Sequence, residues 1–114
     1  MATHVNLTMD QGTTFEAIVT VSNEDGSLFD LTDLTASSQM RKSYYTNTFI
    51  TITATVDGDP LNGDVKLSLL PVETDSIKAG RYVYDVEVRN GDDTYVKRVI
   101  QGVITVSPEV TKIT

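Results

Sequence analysis

Segments in which every second residue is apolar run through most of this 114-residue chain. The clearest is Thr48 to Val56, whose apolar face holds Ile50, Ile52 and Ala54 and whose other face is rich in threonine. A period of two puts successive side chains on opposite faces of a β-strand, so that one face can be buried. Valine and threonine are common throughout, and their branched Cβ atoms favour strands over helices. The sequence therefore predicts an all-β protein.

Seven such segments are separated by glycine, asparagine and aspartate, which turns favour. The strongest hairpin signal is Asn90-Gly91. We predict a bulge at Gly102 in the last strand, and one helical turn within residues 71–79 that Gly80 ends. The predicted strands are His4–Thr8, Thr14–Ser22, Thr35–Lys42, Thr48–Val56, a segment defined by Val65, Leu67 and Leu69, Arg81–Arg89 and Thr94–Val106.

The spacing of the turns predicts how these strands are arranged. Seven short strands in about 110 residues are typical of a β-sandwich. The chain length is sufficient for one domain and not for two. We therefore expect a single antiparallel β-sandwich domain over residues 1–108, followed by a short C-terminal tail over residues 109–114. The tail is rich in β-branched residues, and its Val110 and Ile113 are candidate contacts for a partner.

The composition argues against several classes of function. Nine basic and 16 acidic residues give a net charge of −7, whereas a nucleic-acid binder needs a basic stripe. Cysteine is absent, which excludes disulfides, thiol catalysis and cysteine-ligated metals. No apolar run approaches the ~20 residues that span a bilayer, and the first residues do not resemble a signal peptide. We expect neither a nucleic-acid nor a membrane partner, and synthesis in a cytosol without an export signal.

The residue types that carry enzyme or metal chemistry are sparse. His4 is the single histidine, and it lies near the chain terminus, where a catalytic base is hard to hold rigidly. The oxygen ligands around Asp57, Asp59, Asn62 and Asp64 depart from the spacing of an EF-hand and also suit a turn. We therefore expect no catalytic residue, cofactor or metal site.

Tyr44, Tyr45 and Phe49 form the one concentration of aromatic side chains in a loop. They allow two interpretations: a contact for a protein or a sugar, or a cap over one end of the core. Elsewhere, Asp85 is expected to face outwards and to pair with Arg81 or Arg89.

Two groups of motifs resemble a known family. In the first half these are Gln11-Gly12-Thr13-Thr14-Phe15, Glu24-Asp25-Gly26, Asp30-Leu31-Thr32 and Met40-Arg41-Lys42. In the second half they are Ala79-Gly80-Arg81-Tyr82-Val83-Tyr84-Asp85, and the closing Gly102-Val103-Ile104-Thr105-Val106-Ser107-Pro108-Glu109-Val110-Thr111. In order and spacing they resemble a small immunoglobulin-like domain of tailed-phage virion proteins, including upper baseplate proteins.

That resemblance implies an immunoglobulin-like fold and a structural function without catalysis. The expected protein is an assembly module of the phage baseplate, tail or neck, present in several copies and bound to other phage structural proteins. It would be made in the host cytoplasm and located in the virion. Two alternatives stay open: a displayed module that recognises a host-surface carbohydrate or receptor, and a capsid decoration protein.

Overall fold

The computed structural model describes residues 3–110 and confirms that the protein is nearly all β, with 52% strand and 7% helix. A helical turn, α1, covers Pro71–Asp75, and a 3₁₀ turn covers Pro60–Asn62. The described strands are β1 (Thr3–His4), β2 (Leu7–Asp10), β3 (Phe15–Thr20), β4 (Thr35–Arg41), β5 (Ile50–Val56), β6 (Asp64–Leu69), β7 (Gly80–Arg89) and β8 (Val96–Ser107).

The strands form one curled, mixed sheet in the order β1-β8-β7-β4-β5-β6-β3, with β2 also beside β8. The prediction of a purely antiparallel arrangement is wrong, because β1 and β2 both pair with β8 in parallel. A parallel pair needs a long connection between its strands. Here the rest of the domain is that connection, since it lies between the first strands and the last one.

The curl of the sheet arises at β5, which changes partner along its length. Ile50 and Ile52 pair with β4, whereas the half from Thr53 to Val56 pairs with β6. The apolar faces at the two ends of the sheet are thereby turned towards one core. The alternation in the sequence predicts those faces correctly. The largest fully buried side chains are Met9, Val21, Leu31, Met40, Ile52, Val65, Leu67, Val86, Val88, Ile100, Ile104 and Val106.

The first predicted strand, His4–Thr8, is in fact two strands, which is why residues 3–110 contain eight strands instead of seven. The interruption lies at Val5 and Asn6. Val5 N donates to Gln101 O at 2.9 Å, and the Asn6 side chain accepts from Val103 N at 3.1 Å. Because a side chain takes the place of a backbone acceptor here, the regular ladder stops and restarts at Leu7.

The bulge in β8 is at Val99 and not at Gly102 as predicted. Val86 pairs with Ile100 and Glu87 with Arg98, so Val99 is the additional residue. Gly102 is required for a different reason. A Cβ at this position would collide with the Val5 carbonyl group, so only glycine lets the N-terminal segment lie against β8.

The predicted helical turn is confirmed at α1, and Gly80 begins β7 as the first residue after the connector. The Asn90-Gly91 hairpin is also present, but its loop is wider than a two-residue turn. Asn90 N donates to Tyr95 O at 3.1 Å, and the Asn90 side chain accepts from Tyr95 N at 3.0 Å. These two bonds close a loop over residues 90–95, and β8 therefore begins at Val96.

Candidate functional site

The strand directions place the connecting loops at two opposite ends of the molecule. We call the first the aromatic end: it holds the β4–β5 loop (residues 42–49) and the β6–β7 connection (residues 70–79). We call the second the acidic end: it holds residues 21–34, 57–63 and 90–95. Loops are where a rigid sheet presents recognition residues, so each end is a candidate surface.

At the aromatic end, the tyrosine side chains of the β4–β5 loop lie in solvent. Tyr45 is 95% exposed and Tyr44 is 62% exposed, and Phe49 is also exposed. The interpretation that these tyrosines cap the core is therefore wrong. Large aromatic groups with few rotamers supply contact area at a small entropic cost, which suits them to binding.

Arg41, the last residue of β4, holds this loop against the sheet. Its guanidinium group donates to Thr46 O at 2.9 Å and lies 5.3 Å from the centre of the Phe49 ring. The hydroxyl groups of Ser43 and Thr46 are 2.9 Å apart. The exposed tyrosines consequently project from a braced loop, which lowers the entropy lost when they meet a partner.

A groove that the sequence did not predict runs from Tyr44 along the outer face of β4, β7 and β8. Its volume is about 660 Å³. The small side chain of Ser37 leaves room between longer neighbours, and most of the lining is polar. The outward side chains that line it are Ser37, Gln39, Arg41, Tyr44, Val83, Asp85, Glu87, Arg89 and Arg98.

Ion pairs organise the floor of this groove. Asp85 lies 3.3 Å from Arg98 on the neighbouring strand, so the prediction that it pairs with Arg81 or Arg89 is wrong. Arg89 instead contacts Glu87 at 3.2 Å and Asp93 at 3.7 Å. Burial raises the pKa of Asp85, while the Arg98 charge acts in the opposite direction.

One donor in the groove has no partner within the part of the chain that the structure describes. It is the Nε atom of Arg89, which is buried. A buried donor without a partner is energetically unfavourable.

At the acidic end, the three loops contain eight acidic residues and no lysine or arginine, and a ninth acidic residue, Asp64, begins β6 beside them. Val21 N donates to Gly63 O at 2.8 Å and Leu31 N donates to Pro60 O at 3.0 Å, which joins two of the loops. The nine acidic residues are Glu24, Asp25, Asp30, Asp33, Asp57, Asp59, Asp64, Asp92 and Asp93.

Several of these carboxylates form local turn bonds. Asp25, Asp30 and Asp92 each accept from the hydroxyl group two residues later, and these bonds lower the pKa of each carboxyl. Asp59 accepts from Leu61 N at 3.0 Å, and Asp64 accepts from the Thr20 hydroxyl at 2.6 Å. Of the residues considered as calcium ligands, Asp59 therefore forms a turn bond, and Asp64 joins β6 to β3.

The other residues singled out in the sequence are dispersed. His4 is exposed on β1 at the edge of the sheet. Val110 is 97% exposed beyond β8, and Ile113 lies outside the described residues. Within residues 3–110 there is no group of three or more His, Cys, Asp or Glu side chains placed to hold a metal ion. In the same range no helix is long and apolar enough to span a membrane.

Comparison with known proteins gives a distant likeness of shape. No family model matches the chain, and no curated protein matches it. Among solved structures, Listeria monocytogenes InlP aligns with a TM-score of 0.47 at 15% identity, over 93% of this chain and 28% of that one. A family 123 glycoside hydrolase from Clostridium perfringens aligns with a TM-score of 0.43 at 11% identity, over 96% of this chain and 24% of that one. The chain thus spans about a quarter of the length of each.

Proposed function

We propose that this chain is a non-enzymatic structural protein of a phage virion. It is an immunoglobulin-like assembly module of the baseplate, tail or neck that acts through protein–protein contacts. The observation that carries this proposal is the braced loop with Tyr45 95% exposed at its tip. The fold assignment is supported by β5, which passes from β4 to β6 as a strand does when it crosses between the two layers of a sandwich.

The mechanism is geometric. The sheet fixes the end of β4 and the start of β5, and Arg41 fixes the loop between them. Tyr44 and Tyr45 then insert into hollows of neighbouring virion proteins, where buried aromatic groups carry much of the binding free energy. Several copies in one assembly multiply contacts that are individually weak. The Glu109–Thr114 tail, with Val110 and Ile113, is a second contact in this proposal, and its deletion is expected to reduce incorporation into particles.

The contact is tested by replacing Tyr45 with alanine in the phage that encodes the chain. The matched control is Tyr95→Ala, because Tyr95 is also exposed but lies at the acidic end. We expect Tyr45→Ala to weaken binding at this contact about tenfold, the effect of about 1.4 kcal/mol, and thereby to lower the number of copies per purified particle. We expect Tyr95→Ala to leave the copy number unchanged. Equal copy numbers for both variants and the wild type would contradict the role of this loop.

A second function is favoured by the groove. Tyr44 offers a flat ring at one end, and Arg98, Asp85 and Gln39 offer hydrogen-bonding groups along the floor, a combination that suits a sugar chain. On this alternative the module is displayed on the virion and recognises a host-surface carbohydrate or receptor. A glycan array distinguishes the two: binding that Tyr44→Ala abolishes supports recognition, and an array without binding supports assembly. If an antibody against this chain labelled the capsid of the particles instead of the tail, the chain would be a capsid decoration protein.

A further inference from the structure

The two edges of the sheet differ in how they are protected against pairing with another chain. At one edge, β1 and β2 are short, and Val5 and Asn6 interrupt them. At the other edge, β3 is a regular six-residue strand with sequence Phe-Glu-Ala-Ile-Val-Thr. It contains no proline, lysine or bulge, which are the usual devices that block an edge. An unprotected edge is where a further strand can pair.

The hydrogen bonds show which backbone groups of β3 remain available. Asp57 N donates to Asp64 O, so the even-numbered residues of β6 direct their backbone groups towards β5. The odd-numbered residues of β6 face β3, as the bond from Val21 N to Gly63 O also shows. Ala17 and Val19 pair with odd-numbered residues of β6, so their backbone N–H and C=O groups point towards β6. Glu16, Ile18 and Thr20 therefore point their N–H and C=O groups out of the sheet, and β3 has no other strand partner in residues 3–110.

The outward side chains of β3 favour a second copy of the same strand. Ile18 is 55% exposed and apolar, and it lies between Glu16 and Thr20 on the outer face. The charge of Glu16 is already paired with Lys66, at 3.6 Å, on the adjacent strand. In an antiparallel pair centred on Ile18, the two Ile18 side chains lie opposite each other and Glu16 lies opposite Thr20. No like charges are then directly opposed, which would be destabilising.

We propose that two copies of this chain associate through β3 in this register, about a two-fold axis at Ile18. Glu16, Ile18 and Thr20 of the two copies, six residues in all, exchange backbone hydrogen bonds, and the sheets of the two copies become continuous. The interface is self-complementary, as a closed dimer requires. This interface involves only the β3 edge of the sheet, so the aromatic end stays free for other partners.

The chain offers a direct test, because it contains no cysteine. In the proposed pair the Cα atoms of the two Ile18 residues are about 5.5 Å apart, within the range of about 4.4–6.8 Å for a disulfide. In Ile18→Cys, mild oxidation of the purified protein is therefore expected to give a covalent dimer. Thr20→Cys is the matched control. In the proposed pair, residue 20 of one copy lies opposite Glu16 of the other, four residues away from the second residue 20. The two introduced cysteines are therefore about 14 Å apart along the strand and should not crosslink.

The wild-type protein gives an independent readout. We expect light scattering to show a concentration-dependent dimer, and Ile18→Lys to remain a monomer with unchanged circular dichroism. A wild-type monomer at ~1 mM, or equal crosslinking of both cysteine variants, would overturn the proposal. A dimer that disappears on deletion of residues 109–114, without crosslinking of Ile18→Cys, would show that the tail occupies the edge and would also overturn it. These experiments use the isolated protein, so their failure is distinct from failure of the proposed virion role.

Discussion

Val5 is the residue at which the N-terminal segment is fastened to the rest of the molecule. Its N–H donates to Gln101 O, its carbonyl accepts from the Tyr84 hydroxyl at 2.7 Å, and Gly102 leaves space for that carbonyl. Three separate contacts therefore converge on one peptide unit. Substitutions at its neighbours measure how much the parallel β1–β8 contact contributes to stability.

The first such substitution is Gly102→Ala. Because the new methyl group would collide with the Val5 carbonyl, we expect the free energy of unfolding to fall by about 1–3 kcal/mol. Gly91→Ala is the control, since a Cβ there meets no atom within 4 Å. Denaturation in urea measures both variants. A Gly102→Ala protein as stable as Gly91→Ala would mean that the N-terminal segment does not lie against β8.

The buried hydroxyl group of Tyr84 is expected to make the stability of the protein depend on pH in the alkaline range. Burial raises the pKa of its hydroxyl to about 12, from an ordinary value of 10.0. The contribution of this group to stability is therefore fully present below pH 10 and is lost as the pH rises through about 12. Tyr84→Phe removes that pH dependence and, through the lost hydrogen bond, about 1 kcal/mol at neutral pH.

Ultraviolet absorbance of the phenolate measures the titration, and thermal unfolding at a series of pH values measures the stability. Tyr45→Phe removes a hydroxyl from an exposed side chain and is the control. A Tyr84→Phe protein that loses stability above pH 10 as the wild type does would contradict this assignment.

The Asp85–Arg98 pair shows why the sequence alone did not predict the groove. In a strand with uniform alternation, Arg98 lies on the same face as Ile100, which is buried in the core. The extra residue at Val99 reverses that assignment, so that Arg98 faces outwards beside Asp85. A bulge without a glycine or proline leaves little signal in the sequence, and the groove depends on it.

At the scale of elements, the alternation of apolar residues predicted well which face of a strand is buried. It predicted poorly which strands lie side by side. The buried faces of β6 and β7 are those that the sequence indicated. The pairing of β2 with β8 and the change of partner within β5 were not predicted. Alternation of apolar and polar residues indicates which face of a strand is buried, but it contains no information about which strand lies beside it. The all-β character was therefore predictable and the mixed sheet was not.

The connector around α1 is held by a few polar bonds. Thr74 is fully buried, and its hydroxyl donates to Thr13 O at 2.7 Å. The Gln11 side chain donates to Ile77 O at 2.9 Å. Both bonds join the β6–β7 connection to the β2–β3 turn, and they thereby fix the position of α1 at the aromatic end.

Thr74→Val keeps the size of the side chain and removes its hydroxyl. We expect a loss of about 1 kcal/mol in unfolding free energy, because the Thr13 carbonyl loses a buried donor. Amide hydrogen exchange in α1 is expected to become faster. Thr53→Val, on an exposed position of β5, should change neither quantity. Unchanged exchange in Thr74→Val would show that packing alone holds α1.

At the scale of the whole molecule, the two ends carry different chemistry. One end presents exposed tyrosines on a braced loop, and the other presents eight acidic residues within three loops. The sequence predicted the aromatic cluster and its possible role in binding. It did not predict that the acidic loops gather at the opposite end, since that depends on strand directions. A molecule with two unlike ends can bind different neighbours at each, as an assembly module in a larger particle does.

The central claim is that this chain is a structural component of a virion, and imaging of purified particles with a gold-labelled antibody against it is the most direct test. The account predicts label at one structural location, in the baseplate, tail or neck, with several copies on each particle. Particles without label, from a lysate in which the chain remains free, would contradict it.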